Sequence, residues 1–546
     1  MLLTPLFPYQ AREVPRLAEL GGLLLAYDTG LGKTITGLAM AEKVLEHGNG
    51  TVVLIICPAS LRLQWARAIA EHTDVETTTK KIGKREIRIP TDTWCVVVGG
   101  TPAQRKKQLA DVIERRPQYV IAGYETVAAD IRKFRHLADM VIIDEATVLS
   151  SRTSKRAKKL RTVMAAYRLA LTATPVEHRP ENIFGIMEWV NDDVLGDFED
   201  FDVAYIVRDR WGRPQRYRNL PTLHKILAPV LIRKRIEDPD VAAYMPKTRY
   251  ETWPVELTRA AQKVYAQVAG DLAAELAQTG VAGEFDIGAY YGGYDESTGA
   301  GRAMAVYGAM QMLLNHPQLV VSSALEYTQA EARRAAGGTV PKDLPGSAYA
   351  ARLVASGALA NLTSSPKLDL VVSKVRDILA ADPAHKVVIV SRYRGMEPIF
   401  RESFGSSIGT VSYHGEMTDQ AKAAAADGFN ADPDIRVLLM SHAGAYGVDL
   451  PGGSHLINYD PPLSAGQRVQ INGRIRRASS KHKAVTIVDV PVQQTIEVRQ
   501  YDRLKIKNQV ATAIVDGVGA DEWGNVEARV ESLTWHAERA ALGASG

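Results

Sequence analysis

"LLLAYDTGLGKTITGLAM", residues 23–40, decides the reading of this chain. Residues 23–26 are a short apolar run suited to a buried strand. Residues 34–44 carry Ile35, Leu38, Ala39 and Ala41 at positions that suit one apolar helix face. Gly30 and Gly32 fall at the turn between them, where backbone N–H groups and a helix N-terminus can face an anion. Lys33 is then placed to reach the β- and γ-phosphates of a nucleotide, and the Thr34 hydroxyl to bind Mg²⁺. The usual G-x-x-x-x-G-K-[ST] spacing is incomplete, because Tyr27 stands where its first glycine would be. A glycine turn with a solvated lysine is the simpler alternative, so a second element is needed.

"DMVIIDEATVLSS", residues 139–151, supplies it. An apolar strand ends in Asp144-Glu145, at the carboxyl end where open α/β sheets place their ligands. An aspartate there can hold a metal, and the adjacent glutamate can polarise a water for attack on a γ-phosphate. Two carboxylates after a strand are commonly only a cap or turn. Roughly 110 residues after a phosphate loop, they read as the second half of a nucleoside-triphosphatase site.

The 546 residues are enough for two to four domains. Hydrophobic residues make up 46% and charged residues 23%, the balance of a soluble globular protein. No apolar run is long enough to span a bilayer, and the first residues lack the pattern of a leader. Only two cysteines occur, Cys57 and Cys95, without metal-ligand spacing, which suits a reducing compartment such as the cytoplasm. The net charge of +4 permits a polyanionic partner without demanding one.

With these residues in place, the chain resembles a superfamily-two helicase-type ATPase of the Swi/Snf (chromatin-remodeler-like) branch, over about residues 5–517. "PYQ" at 8–10 resembles the adenine-reading element, with Gln10 as the amide. "ICPASLRLQW" at 56–65 is similar to a motif lining the nucleic-acid track. "AGYETV" at 122–127 and "LALTATP" at 169–175 resemble further strand-end motifs, the latter coupling hydrolysis to lobe movement through Thr172 and Thr174. "LLNHPQL" at 313–319, "SYHGEMT" at 412–418 and the segment with Gly444, Gly447 and Asp460 resemble second-lobe motifs. In "QRVQINGRIRRAS", residues 467–479, Gln470, Arg474 and Arg477 match a Q-x-x-x-R-x-x-R spacing. "TIEVRQYDRLKIKNQVATAIVDG" at 495–517 resembles the helix that braces the two lobes.

The resemblance implies an α/β fold of two RecA-like lobes, with parallel sheets flanked by helices and a helical insertion in the second lobe. Its boundaries here are 1–250 for the first lobe, 251–517 for the second with an insertion at about 265–365, and 518–546 for a helical tail. ATP and Mg²⁺ are the implied ligands, bound through Gln10, Gly30, Gly32, Lys33, Thr34, Asp144 and Gln470. Glu145 orients water, and Arg474 and Arg477 act as arginine fingers. The implied partner is DNA, in duplex form, and the bare motor suits a bacterial or phage source. Two other functions stay open: a strand-separating helicase on DNA or RNA, and a nucleic-acid-binding scaffold with an inactive ATPase site. Thr147 after Asp-Glu-Ala, His442 in place of a usual Thr, and Ala478-Ser479-Ser480 depart from the pattern and bear on coupling. In the insertion, Tyr290, Tyr291 and Tyr294 lie in a Gly-rich stretch that reads as a loop.

Overall fold

The computed structural model describes residues 1–46, 51–82, 85–176, 179–210, 212, 214–278, 296, 298–339, 346–442, 447–517 and 525–527. Gly444, Tyr290, Tyr291 and Tyr294 lie outside the described residues.

Two parallel sheets organise the chain. The first has seven strands in the order Leu231–Lys234, Gly22–Tyr27, Tyr167–Leu171, Met140–Asp144, Val53–Cys57, Tyr119–Gly123, Cys95–Val98. Every pairing in it is parallel. The four central strands are apolar almost throughout, because helices cover both faces of the sheet. Alternate residues serve opposite faces. Leu24, Ala26, Leu54, Ile56, Val141 and Ile143 join one core, and Leu23, Leu25, Val53, Ile55 and Ile142 join the other.

The second sheet has six strands in the order Lys247–Thr252, Ala484–Asp489, His455–Asn458, Val387–Ser391, Ile435–Ser441, Gly409–Tyr413, again all parallel. Four helices, Arg259–Gln278, Gly299–Asn315, Pro317–Ala335 and Ala348–Ala355, pack together and share a core with this sheet through Val268, Met310, Val320 and Leu353. They form the helical insertion of the α/β fold.

The helix Ile496–Val515 leaves the second sheet and ends in the core of the first, where Val510, Ala513, Ile514 and Val515 are buried. Beyond it, Asn525–Glu527 form a short strand against Pro214–Arg218, where a helical tail was expected; pairing with an available edge satisfies their backbone. The remainder of that tail lies outside the described residues. Among the described residues no helix is long and apolar enough to cross a membrane.

Candidate active site

The buried strand Gly22–Tyr27 delivers the phosphate-loop stretch to the helix Lys33–Leu45. Gly30 and Gly32 take φ of 90° and 78°, where any residue with a side chain is strained. Space is tight for a side chain as well, and at Gly30 backbone closes it. A Cβ on Gly32 would lie 2.4 Å from Gln10 Nε2, and one on Gly30 would lie 2.2 Å from the Arg476 carbonyl oxygen. The loop is therefore clasped between the N-terminal segment and the second lobe.

Gln10 is 2% exposed. Its Nε2 donates to the Leu31 carbonyl at 3.0 Å, and its Oε1 accepts from Phe7 N at 3.0 Å. Tyr9, which the sequence did not single out, donates from its hydroxyl to the same Leu31 carbonyl at 3.1 Å. Lys33 Nζ donates to the carbonyls of Tyr27 and Asp28 at 2.9 and 3.2 Å. Burial pulls the Lys33 ammonium down to about 8, against the opposing pull of Glu145 and Asp144. Thr34 sits half-buried in the first turn of the same helix.

Asp144 ends its strand with both carboxylate oxygens engaged. Oδ2 accepts from the Trp65 indole at 2.9 Å and Oδ1 from Glu145 N at 2.9 Å. Burial raises its pKa, while the Trp65 hydrogen bond and the Lys33 charge oppose that rise. Glu145 takes the left-handed conformation, φ 49°. The Tyr124 hydroxyl donates to the backbone carbonyls of Asp144 and Glu145 and holds the turn. Thr147 turns its hydroxyl back to the Glu145 carbonyl at 3.4 Å. Trp65 and Tyr124 lie in stretches quoted for other motifs, and no local spacing in the sequence ties either to Asp144.

The second lobe meets this surface through the helix Ala465–Asn472 and the turn after it. Gln470 Nε2 donates to Glu145 Oε2 at 3.1 Å. Thr29 Oγ1 donates to the Val469 carbonyl at 3.1 Å. Arg474 is buried and donates to the Val448 carbonyl at 3.2 Å; desolvation and the neighbouring Arg477 lower its pKa to about 10. Arg477 pairs with Asp449 at 2.5 Å, and its Cδ lies 3.2 Å from where a Gly30 Cβ would be. The buried Nε atoms of Arg474 and Arg477 have no acceptor among the described residues. Thr174 N donates to Thr172 Oγ1 at 3.1 Å, and Thr174 packs against Gly466 of the second lobe. His442, 4% exposed, lies 3.3 Å from Asp460, and burial lowers its pKa.

Lys33, Thr34, Asp144, Glu145, Gln470, Arg474 and Arg477 thus line one cleft between the sheets, with Gln10 behind the loop. A glycine cradle, a lysine and two arginines with unanswered N–H groups suit a polyphosphate. The Asp144 carboxylate has acceptor sites left after two hydrogen bonds, and with the Thr34 hydroxyl it suits a hard divalent cation.

Comparison with known proteins gives the family. The SNF2-related domain model matches residues 14–318, more than half of the chain, and the helicase conserved C-terminal domain model matches residues 370–479. The chain is 22% identical to the uncharacterized ATP-dependent helicase YqhH of Bacillus subtilis (strain 168), over 98% of this chain and 84% of that protein. It is 21% identical to the putative ATP-dependent helicase/translocase YwqA of the same organism, over 90% of this chain but only 46% of that protein. Against the Chromodomain-helicase-DNA-binding protein 3 homolog of Caenorhabditis elegans it spans 27% of the relative's length. Among solved structures, the Hef helicase domain of Pyrococcus furiosus aligns with a TM-score of 0.53 at 17% identity, covering 91% of this chain and 97% of that one, a likeness of fold.

Proposed function

The chain belongs to the SNF2-related family, and from that premise we propose that it is a DNA-dependent ATPase that converts hydrolysis between two RecA-like lobes into translocation along duplex DNA. The observation that carries this reading is the Gln470–Glu145 hydrogen bond, which joins the water-orienting carboxylate of one lobe to the helix that leads into Arg474 and Arg477 in the other.

In this reading Gly30, Gly32 and Lys33 cradle the phosphates. Gln10 has one amide N–H and one oxygen lone pair left after its two hydrogen bonds, and these meet the adenine edge. Thr34 and Asp144 would hold Mg²⁺, which would neutralise phosphate charge. Glu145 orients a water and accepts its proton as the water oxygen bonds to the γ-phosphorus and the bond to the bridging oxygen breaks. Arg474 and Arg477 spread their positive charge over the equatorial oxygens; an arginine finger contributes about 10³ to 10⁵ in rate. Both arginines belong to the second lobe, so hydrolysis depends on lobe closure, and loss of the γ-phosphate weakens the contacts that keep the lobes together. Because the strand Lys247–Thr252 pairs within the second sheet, we place the boundary between the lobes at 246/247 rather than at the expected 250/251, and keep the insertion at about 265–365.

Steady-state ATP hydrolysis, without nucleic acid and with duplex DNA, single-stranded DNA or RNA, tests the reading, with Lys33→Ala as the blank. Stimulation by duplex DNA is expected. Stimulation by single strands or RNA alone would replace the duplex translocase with a strand-separating helicase, and no turnover under any condition would overturn the ATPase.

A further inference from the structure

Asp28, in the phosphate-loop stretch, does not face the cleft chemistry described above. Its Oδ1 pairs with Arg233 Nη1 at 2.8 Å and its Oδ2 accepts from Ile236 N at 3.1 Å. Arg233 stands on the edge strand Leu231–Lys234, beside Gly22–Tyr27. The same guanidinium donates from Nη1 to the Ala26 carbonyl at 2.9 Å and from Nε to Asp516 Oδ1 at 2.6 Å. Asp516 caps the C-terminus of the helix Ile496–Val515. One largely buried arginine therefore touches the end of that helix, the strand entering the phosphate loop and the loop's own aspartate.

The far end of the helix is fastened elsewhere. Glu497 forms a buried ion pair with Lys367 at 2.6 Å, and Ile496 N donates to the Tyr265 hydroxyl at 2.9 Å, both within the second lobe. The near end is held in the first lobe by Val510, Ala513 and Ile514, and by His224 Nδ1 against the Ile514 carbonyl at 2.9 Å. A relative movement of the lobes must therefore load this helix, and Arg233 is where the load meets the phosphate loop.

We infer that Arg233 is a positioning residue that ties the phosphate loop to the Ile496–Val515 helix, so that the seat of Asp516 sets how firmly the loop is held for nucleotide. This deepens the ATPase reading and rests on it for its consequence in catalysis. The geometry has a physical logic. Burial works against the Arg233 charge, yet the two carboxylates outweigh it and hold the guanidinium above its ordinary value. Removing one carboxylate leaves a largely buried arginine with one of its two countercharges, which re-seats it rather than merely deleting a contact.

The test is hydrogen exchange on the full chain, comparing wild type with Asp516→Asn, Arg233→Gln and the double variant. In Asp516→Asn the amides of residues 28–36 should exchange about fivefold faster or more, a change of the size usual for coupled sites. The strand at residues 140–144 should be unaffected. In the Arg233→Gln background, Asp516→Asn should add nothing, because both act through one guanidinium. With ATP, Asp516→Asn should raise KM about fivefold while kcat at saturation changes less than about twofold. A role confined to stability would lower the melting temperature without that split. Unchanged exchange in residues 28–36 of Asp516→Asn, or additive effects of the two substitutions, would overturn the inference. Failure of the wild type to hydrolyse ATP would count against the ATPase reading instead, and the exchange comparison would still decide the role of Arg233.

Discussion

Gln470, on the helix Ala465–Asn472 of one lobe, and Glu145, just past the strand Met140–Asp144 of the other, meet across the cleft with Nε2 donating to Oε2 at 3.1 Å. The bond fixes the carboxylate only while the lobes are together, so it links closure to the orientation of the attacking water. A hydrogen bond to a charged group contributes about 1.5–3 kcal/mol, so Gln470→Ala should lower kcat roughly 10-fold or more, with little change in KM for ATP. Steady-state kinetics at saturating duplex DNA reads this directly. An unchanged kcat would mean that Tyr124 and the backbone hold Glu145 in place without help from the second lobe.

Arg477 is paired with Asp449, whose side chain is 47% exposed, so its present ion pair is weak and easily exchanged for a phosphate oxygen. Arg477→Ala should leave nucleotide binding nearly intact and reduce stimulated turnover by about 10³ or more. Arg477→Lys should recover little, because a point charge does not reproduce the planar fork. Equilibrium binding of a fluorescent ATP analogue alongside turnover separates the two effects. Full turnover in Arg477→Ala would remove this residue from the chemistry.

Gly473 reports on closure itself. A Cβ there would sit 1.6 Å from Thr29 Oγ1, a distance no rotamer change removes, since the Thr29 Cβ is itself only 2.3 Å away. The glycine's own φ of −68° is ordinary, so Gly473→Ala strains contact between the lobes rather than the local backbone. The expected variant folds, melts within a few degrees of wild type, and loses most ATP turnover. Small-angle scattering should show a more extended particle. Wild-type turnover in Gly473→Ala would mean that hydrolysis does not need this closeness of approach.

The parts of the site written in local spacing were legible. Gly30, Gly32, Lys33 and Thr34 must follow a strand and open a helix, and Asp144-Glu145 must end a strand, so residue type and position are constrained together. Both parallel sheets were legible for a similar reason: strands buried on two faces are continuous apolar runs. What could not be read depends on tertiary register. Trp65 reaches Asp144 across 79 residues, and Arg233 reaches Asp516 across 283, and nothing in either neighbourhood announces the partner. Gln10 was expected at a base edge, and its two hydrogen bonds to Leu31 and Phe7 add a grip on the loop that its motif does not imply. The strand Asn525–Glu527 falls in a tail expected to be helical, and its partner, Pro214–Arg218, lies about 300 residues away in the chain, out of reach of any local pattern.

His455 gives a pH dependence remote from the cleft. Its ring is half-buried at the start of a central strand of the second sheet, with Nδ1 at 2.9 Å from Ser454 Oγ and the His385 ring 5.1 Å away. Burial first, then the charges of His385 and His482, lower its pKa from the ordinary 6.5 to about 4, against a smaller upward pull from Glu251. The unfolded chain therefore takes up a proton at this ring before the folded chain does. The sign follows: this contribution to stability is present above pH 6.5, is lost progressively as pH falls toward about 4, and changes no further below that. Thermal melts of wild type and His455→Asn across this window should show a smaller fall in melting temperature for the variant. Parallel curves would mean that the ring is solvated enough in the fold to titrate as it does in water.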